Sequence, residues 1–303
     1  MVLAYLLLGL STRAIPAVHP MWTIRVHRYL GPLDCRIDGG QFVVGNECYS
    51  LASGNHIDGR PSAPPVNEIP PHFIEQVRDA VLRVGKTELH VIKDTGRMVI
   101  GYDDGYQRLI EVDRDSPDRP VSIPYPFGMS SRMVSGDLST GYLVVSSGLP
   151  DRNYVLSRLF FLSPLRVSPL SYFRFYDARQ LSRCLGVVQR KGDKTNYDLQ
   201  RQTPDAPLAC GNAYTGQVYW RRIGFKYGRW MTPRWVLAHS DDSMRWAVLD
   251  GRSGRVVIPD IPHVRPLTWE EGVVSDLHGH FIFLLPDGDG KSTTISAFEL
   301  REK

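Results

Sequence analysis

Between Tyr219 and Trp235 the chain sets Tyr219, Trp220, Phe225, Tyr227, Trp230 and Trp235 among Arg221, Arg222, Lys226, Arg229 and Arg234, with no acidic residue in the segment. Aromatic faces beside guanidinium groups suit an anionic ligand, a sugar, a single-stranded nucleic acid or an acidic protein surface. Side chains alternate along a strand, so Trp220 and Arg222 should share one face while Arg221 takes the other. Trp220, Arg222 and Trp230 are the expected contact residues. A protein partner is the first expectation, and a carbohydrate or anionic ligand the second. Nucleic acid is disfavoured, because the formal net charge is only +4 over 303 residues. The plainer reading of the same pattern is an amphipathic strand pair, with aromatics packed inward and arginines facing water.

Other chemistry-bearing residue types form no site. Gly288-Asp289-Gly290-Lys291-Ser292-Thr293 looks like the end of a phosphate-binding loop. That loop needs a glycine where Leu285 stands, and a helix where Thr293 to Phe298 reads as a strand. Asp287 and Asp289 could begin a calcium loop, but its twelfth position is Phe298 rather than a bidentate Glu. His278 and His280 would share a strand face, yet no third metal ligand lies nearby. No nucleophile stands in a recognisable context, and Asp103-Asp104 and Asp241-Asp242 read as solvated turns. The expectation is therefore no catalytic residue, no metal and no cofactor.

One resemblance bears on a runner-up reading. Ser135-Gly136-Asp137 and Ser240-Asp241-Asp242 resemble the start of the Asp-box turn of sialidase-type propellers. The glycine that turn requires is replaced by Ser139 in one copy and Met244 in the other, and Trp246 falls one residue early. What the resemblance implies is a carbohydrate-active enzyme or lectin, using the central depression of a propeller. The leading expectation is instead a non-enzymatic binding module on a β-repeat scaffold. A secreted or periplasmic partner-binding protein, such as a neutraliser of a toxic enzyme, would suit it.

The elements that position these residues are mostly hairpins. Glu88 to Lys93 alternates, Asp94-Thr95-Gly96 turns, and Arg97 to Tyr102 returns; comparable meanders run through 132–146, 234–258 and 273–285. Asp, a spacer, Gly and an apolar run recur at Asp94, Asp137, Asp250 and Asp276. Repeat units fall near 22–62, 88–123, 132–163, 172–202, 217–258 and 273–299, a size that suits propeller blades. The expected fold is all-β, mostly antiparallel hairpins in a β-propeller-like repeat, with packed β-sandwiches or an irregular barrel as alternatives. Phe73, Ile74, Val77, Val81 and Val84, between Pro70-Pro71 and Gly85, predict one short helix over 73–84.

Composition agrees with a folded chain: 42% hydrophobic, 22% charged, and 27 Gly and 22 Pro scattered along its length. Charge is uneven. No Asp or Glu occurs from Arg152 to Tyr176 or from Ala206 to Ser240, while Asp103, Asp104, Glu111, Asp113, Asp115 and Asp118 crowd together. This predicts an electrically two-sided surface. Residues 1–21 read as a signal peptide or a buried N-terminal segment, and 22–303 as one β-repeat domain. Export to a secreted or periplasmic setting follows if residues 1–17 are cleaved; otherwise the expectation is cytoplasmic. No later segment is long and apolar enough to span a membrane. Cys35, Cys48, Cys184 and Cys210 read as buried thiols, with Cys35–Cys48 and Cys184–Cys210 as the local disulfides available to an exported form.

Overall fold

The alternating apolar segments form twenty-five strands, gathered in six antiparallel sheets. The computed structural model describes residues 15–30, 35–58, 81–94, 96–103, 108–124, 132–135, 141–149, 152–162, 164–170, 173–188, 207–240, 245–261, 272–288 and 290–302, and statements about the structure refer to these. Strand β1 (Pro16–Val26) comes first in the chain. The first sheet is β2 (Cys35–Asp38), β3 (Gln41–Val44), β4 (Glu47–Ser50) and β5 (His56–Ile57). The second has β6 (Val81–Val84), β7 (Thr87–Asp94), β8 (Met98–Tyr102), β9 (Arg108–Asp113) and β10 (Val121–Pro124). The third has β11 (Arg132–Ser135), β12 (Tyr142–Leu149), β13 (Arg152–Phe161) and β14 (Arg166–Val167). The fourth has β15 (Phe173–Asp177), β16 (Cys184–Val188), β17 (Leu208–Gly211) and β18 (Val218–Arg222). The fifth has β19 (Phe225–Trp230), β20 (Trp235–Ser240), β21 (Trp246–Asp250) and β22 (Val256–Ile258). The sixth has β23 (Gly272–Ser275), β24 (His280–Pro286) and β25 (Thr293–Glu302).

Strand β1 completes the sixth sheet, which runs β1-β25-β24-β23. Its register with β25 holds from Pro16 opposite Glu302 to Val26 opposite Thr293, with one irregularity at Pro20–Trp22. An N-terminal strand that finishes the last sheet joins the two ends of the fold in one sheet, and the fold is β-propeller-like. First strands of neighbouring sheets pack together, β15 against β19 and β2 against β23, so they form the inner wall.

Hydrophobic clusters lie between the sheets. Ile100, Leu109, Leu143 and Phe160 join the second sheet to the third. Phe161, Phe173, Cys184 and Ala209 join the third to the fourth. Cys210, Trp220, Trp230 and Val236 join the fourth to the fifth. Trp235, Trp246, Phe281 and Phe298 join the fifth to the sixth. Phe42, Val44, Ile282 and Ile295 join the sixth to the first. A sheet covered on both faces buries consecutive residues, which explains the unbroken burial of β17 and β21.

Several sequence expectations change. Val81–Val84 is strand β6, not the last turn of a helix, because its pairing with β7 pins each residue to a ladder partner; residues 73–80 lie outside the described ones. The repeat units are displaced by a strand in two places. Trp22 to Arg25 belong to the sixth sheet rather than the first, and Val218–Arg222 to the fourth rather than the fifth.

All four cysteines are free and buried. The pleat forbids both local disulfides. Cys184 lies opposite Gly211 and Cys210 opposite Leu185, so the two thiols point to opposite faces of one sheet, each into a different cluster. Cys35 opposite Val44 and Cys48 opposite Val43 are separated in the same way.

Candidate interaction surface

Strand β18 is the outermost strand of the fourth sheet, and it divides the aromatic–basic segment between inside and outside. Trp220 and Arg222 share a face, as alternation requires, but that face meets the fifth sheet. Trp220 is only 8% exposed, and its indole N–H donates to Gly251 O at 2.9 Å. Arg222 is half-buried, and its Nε donates to Gly254 O at 2.6 Å. Trp230 is fully enclosed and donates to Arg183 O at 2.7 Å. Of the expected contact trio, Trp220 and Trp230 fill the junction between two sheets and offer no exposed ring to a partner, while Arg222 remains half-exposed.

The junction uses a repeated turn. At Asp250–Gly254, Gly254 N donates back to Asp250 O at 2.7 Å, and the Asp250 carboxylate accepts from Ser253 N and Oγ. Gly254 has φ +66°, and a β-carbon there would stand 2.7 Å from the Trp220 ring. Ser50–Gly54 repeats the geometry: Gly54 N donates to Ser50 O at 2.8 Å, φ is +72°, and Trp22 of β1 lies over the glycine with its N–H on Leu51 O. Asn212–Gly216 is a third copy, where Pro169 takes the place of the tryptophan. The last strand of one sheet thus docks on the last turn of the next.

What remains outside lies next to these buried residues. Tyr219 is 43% exposed, Arg221 is exposed, and Ile223 is 71% exposed at the turn into β19. The register shift between Cys210 and Gly211 leaves Tyr219 without a ladder partner, which turns its ring outward. Asn212 fixes two aromatics: its amide donates to Tyr219 Oη at 2.8 Å, and its Oδ1 accepts from Tyr214 N at 2.8 Å. The Tyr214 ring, 49% exposed, stacks on buried Phe161 of the third sheet with centroids 5.1 Å apart and planes 11° apart. Arg166 covers the same Phe161 ring at 4.4 Å. The two acid-free stretches, far apart in sequence, meet through this stack.

Charge on the two sides differs in kind. Of the crowded acids, Asp113 and Asp115 are answered by one local arginine, with Arg97 at 3.2 Å and 3.4 Å, and outside the cluster Arg114 lies 2.5 Å from Asp94. The Asp115 amide, and after it the Arg97 contact, hold the Asp113 carboxyl below its ordinary range. Arg166, Arg221 and Arg222, with exposed Arg252 and Arg255 beside the docked turn, have no carboxylate within ion-pair distance among the described residues.

A second polar cluster, with no sequence signal, ties three inner strands together. Asp177 at the end of β15 accepts from Arg179 N, Nε and Nη2 and from Trp230 N. Arg179 also donates to Trp230 O at 2.6 Å, Ser275 O at 2.6 Å and Ser275 Oγ at 3.1 Å. Burial alone would raise the Asp177 pKa, but the Arg179 guanidinium outweighs it and holds the carboxyl below its ordinary value. Burial pushes the nearby Tyr227 phenol up. The ionised carboxylate, held by four donors, and the guanidinium that reaches Trp230 O and Ser275 O make a staple between neighbouring sheets.

The glycine-rich and histidine motifs resolve into turns, while residues 104–107, 136–140 and 241–244, which carry Asp104, Asp241-Asp242 and most of the Asp-box resemblance, lie outside the described residues. Asp287 N donates to Ser292 O at 2.8 Å and Gly290 N to Asp287 O, which closes a hairpin between β24 and β25; Asp289 lies outside the described residues. Asp276 accepts from His278 N and His280 N and contacts His280 Nδ1 at 2.7 Å, a local turn. No group of three potential metal ligands occurs among the described residues. Nor is any helix there long and apolar enough to cross a membrane.

No family model and no curated protein matches the chain. Among solved structures it is similar to a luciferin-regenerating enzyme, with TM-score 0.41, 10% identity, and coverage of 93% of this chain and 95% of that one. It is also similar to BBS1N in complex with ARL6DN, with TM-score 0.33, 8% identity, and coverage of 87% and 75%. A KlHsv2 variant carrying a Gly-Ser linker gives TM-score 0.30, 9% identity, and coverage of 91% and 98%. The propeller-like assignment rests on the sheet order of this chain and the joining of its two ends in one sheet.

Proposed function

We propose that this propeller is a non-enzymatic binding module, and that it meets a protein partner on the outer rim where the third, fourth and fifth sheets adjoin. The observation that carries the reading is the stack of Tyr214 on Phe161, which joins the two acid-free stretches into one exposed surface. That surface holds Tyr214, Tyr219 and Ile223 beside arginines that have no carboxylate partner among the described residues. Exposed aromatic and aliphatic side chains ringed by Arg have the composition of binding hot spots.

The test is photo-crosslinking in extracts of the native source, with benzoylphenylalanine at position 219 and, as control, at Thr23 on β1. A discrete adduct formed from 219 but not from 23, and lost in Tyr214→Ala/Ile223→Ser protein, is the expected result. Equal labelling from both positions would place the interface elsewhere. A secreted or periplasmic setting, with a toxic enzyme as the neutralised partner, requires cleavage near residue 17, which N-terminal sequencing of native protein decides.

A further inference from the structure

The rim has a chemistry that selects among partners. Arg222 is anchored on Gly254 O, one residue before exposed Arg255, while exposed Arg221 takes the other face of the edge strand β18. Arg252 lies in the same turn, and Arg166 lies over Phe161 across the third-to-fourth-sheet junction. Among the described residues, the acids nearest in sequence are engaged elsewhere. Asp250 is buried and accepts from its own turn, Asp177 is bound by Arg179, and Asp260 lies 3.8 Å from Arg245. Arginines with no carboxylate within ion-pair distance among the described residues repel basic partners and attract acidic ones.

Two features favour a protein over a nucleic acid. Ile223 and Val256 expose aliphatic side chains along the same rim, which bury apolar surface against a protein but give a base nothing to stack on. Tyr214 has already committed one ring face to Phe161, and the Tyr219 hydroxyl is held by Asn212. These are pre-positioned side chains, which lose little entropy on contact.

Resting on the reading above, we infer that the rim recognises an acidic segment of a partner protein. Its carboxylates lie against Arg221, Arg222 and Arg255, and its apolar side chains lie on Ile223 and Tyr219. Carboxylate meets guanidinium in paired hydrogen bonds, and the aliphatic contacts exclude water around them.

The experiment is fluorescence polarisation of the full chain with a labelled random glutamate–tyrosine copolymer, a lysine–tyrosine copolymer and a twenty-nucleotide oligo-dT. Binding of the glutamate copolymer alone is expected, weakening as salt rises from about 0.05 to about 0.5 M. Arg221→Glu/Arg255→Glu should weaken it about ten-fold or more, Arg221→Gln/Arg255→Gln less, and Arg83→Glu on β6 not at all. Unfolding midpoints matched to the parent establish that the variants are folded. Glutamate-copolymer binding unchanged in Arg221→Glu/Arg255→Glu, or tighter binding of oligo-dT than of the copolymer, would overturn the inference. A crosslink from position 219 that persists in Arg221→Glu/Arg255→Glu protein overturns the acidic-segment inference and keeps the rim as an interface. Absence of any crosslink from position 219 in the parent protein overturns both.

Discussion

Trp220 occupies the volume that a side chain at Gly254 would need: its ring lies 2.7 Å from where that β-carbon would stand. The glycine is required twice over, since its φ of +66° also disfavours any other residue. Gly254→Ala should therefore lower stability by about 2 kcal/mol or more. Trp220→Ala, which empties the same contact from the other side, should cost about 3–5 kcal/mol. Urea unfolding checks both. Changes under about 0.5 kcal/mol would mean the docked turn is replaceable.

Removing the charge of Asp177 leaves the largely enclosed Arg179 guanidinium without its counter-ion, between carbonyls of two neighbouring sheets. Asp177→Asn should destabilise the fold by about 3–5 kcal/mol, and Arg179→Met should recover part of that loss in the double variant. Independent, additive losses in a double-mutant cycle would show that the two residues do not act as a pair.

The same carboxylate sets a pH dependence. Its folded pKa lies below the ordinary value of about 3.9, so its contribution is present above that value. The contribution disappears as pH falls through the folded pKa. The stability gap between the parent and Asp177→Asn should be constant from about pH 5 to about pH 8 and shrink only below about pH 4. A gap that closes between pH 5 and pH 7 would assign the effect to another group.

The thiols should be silent in the native state. Burial pushes the Cys184 pKa well up and that of Cys210 up to about 12, so neither forms thiolate at neutral pH. An aromatic disulfide reagent should label none of the four in folded protein and all four in denaturant. Fewer than four reactive thiols after denaturation without reductant would reveal a disulfide between residues the pleat keeps apart.

The all-β class was legible because turn residues punctuate the chain at short intervals, but blade boundaries were not. Alternation says where a strand is, not which sheet it joins, so β18 reads as continuous with β19 across Ile223-Gly224 although a sheet boundary lies between them. The repeat sought as Asp-spacer-Gly marks no single position in the sheets. The one that recurs structurally is Ser50, Asn212 or Asp250, then two residues, then Ser53, Thr215 or Ser253 and a glycine.

At the candidate surface, alternation correctly paired Trp220 with Arg222 and could not say which face met solvent. Both faces of a propeller blade are covered near its core, so aromatic residues beside arginines were as consistent with a buried junction as with a binding surface. The Asp177–Arg179 staple was invisible for a different reason. Its partners Trp230 and Ser275 lie 51 and 96 residues from Arg179, and no local pattern links them.

The joining of the two ends also sets a clock. Thr23 and Ser296 face each other across β1 and β25 from positions 273 residues apart. At about 5–20 residues per second, β1 waits about 15–55 s on the ribosome for its partner. During that wait it is an unpaired edge, and Pro16 and Pro20 withhold the amides that a foreign strand would use. A nascent chain halted before Thr293 should leave Trp22 open to proteolysis nearby, and release of the whole chain should protect it; protection already present in the halted chain would mean that β1 finds another place first.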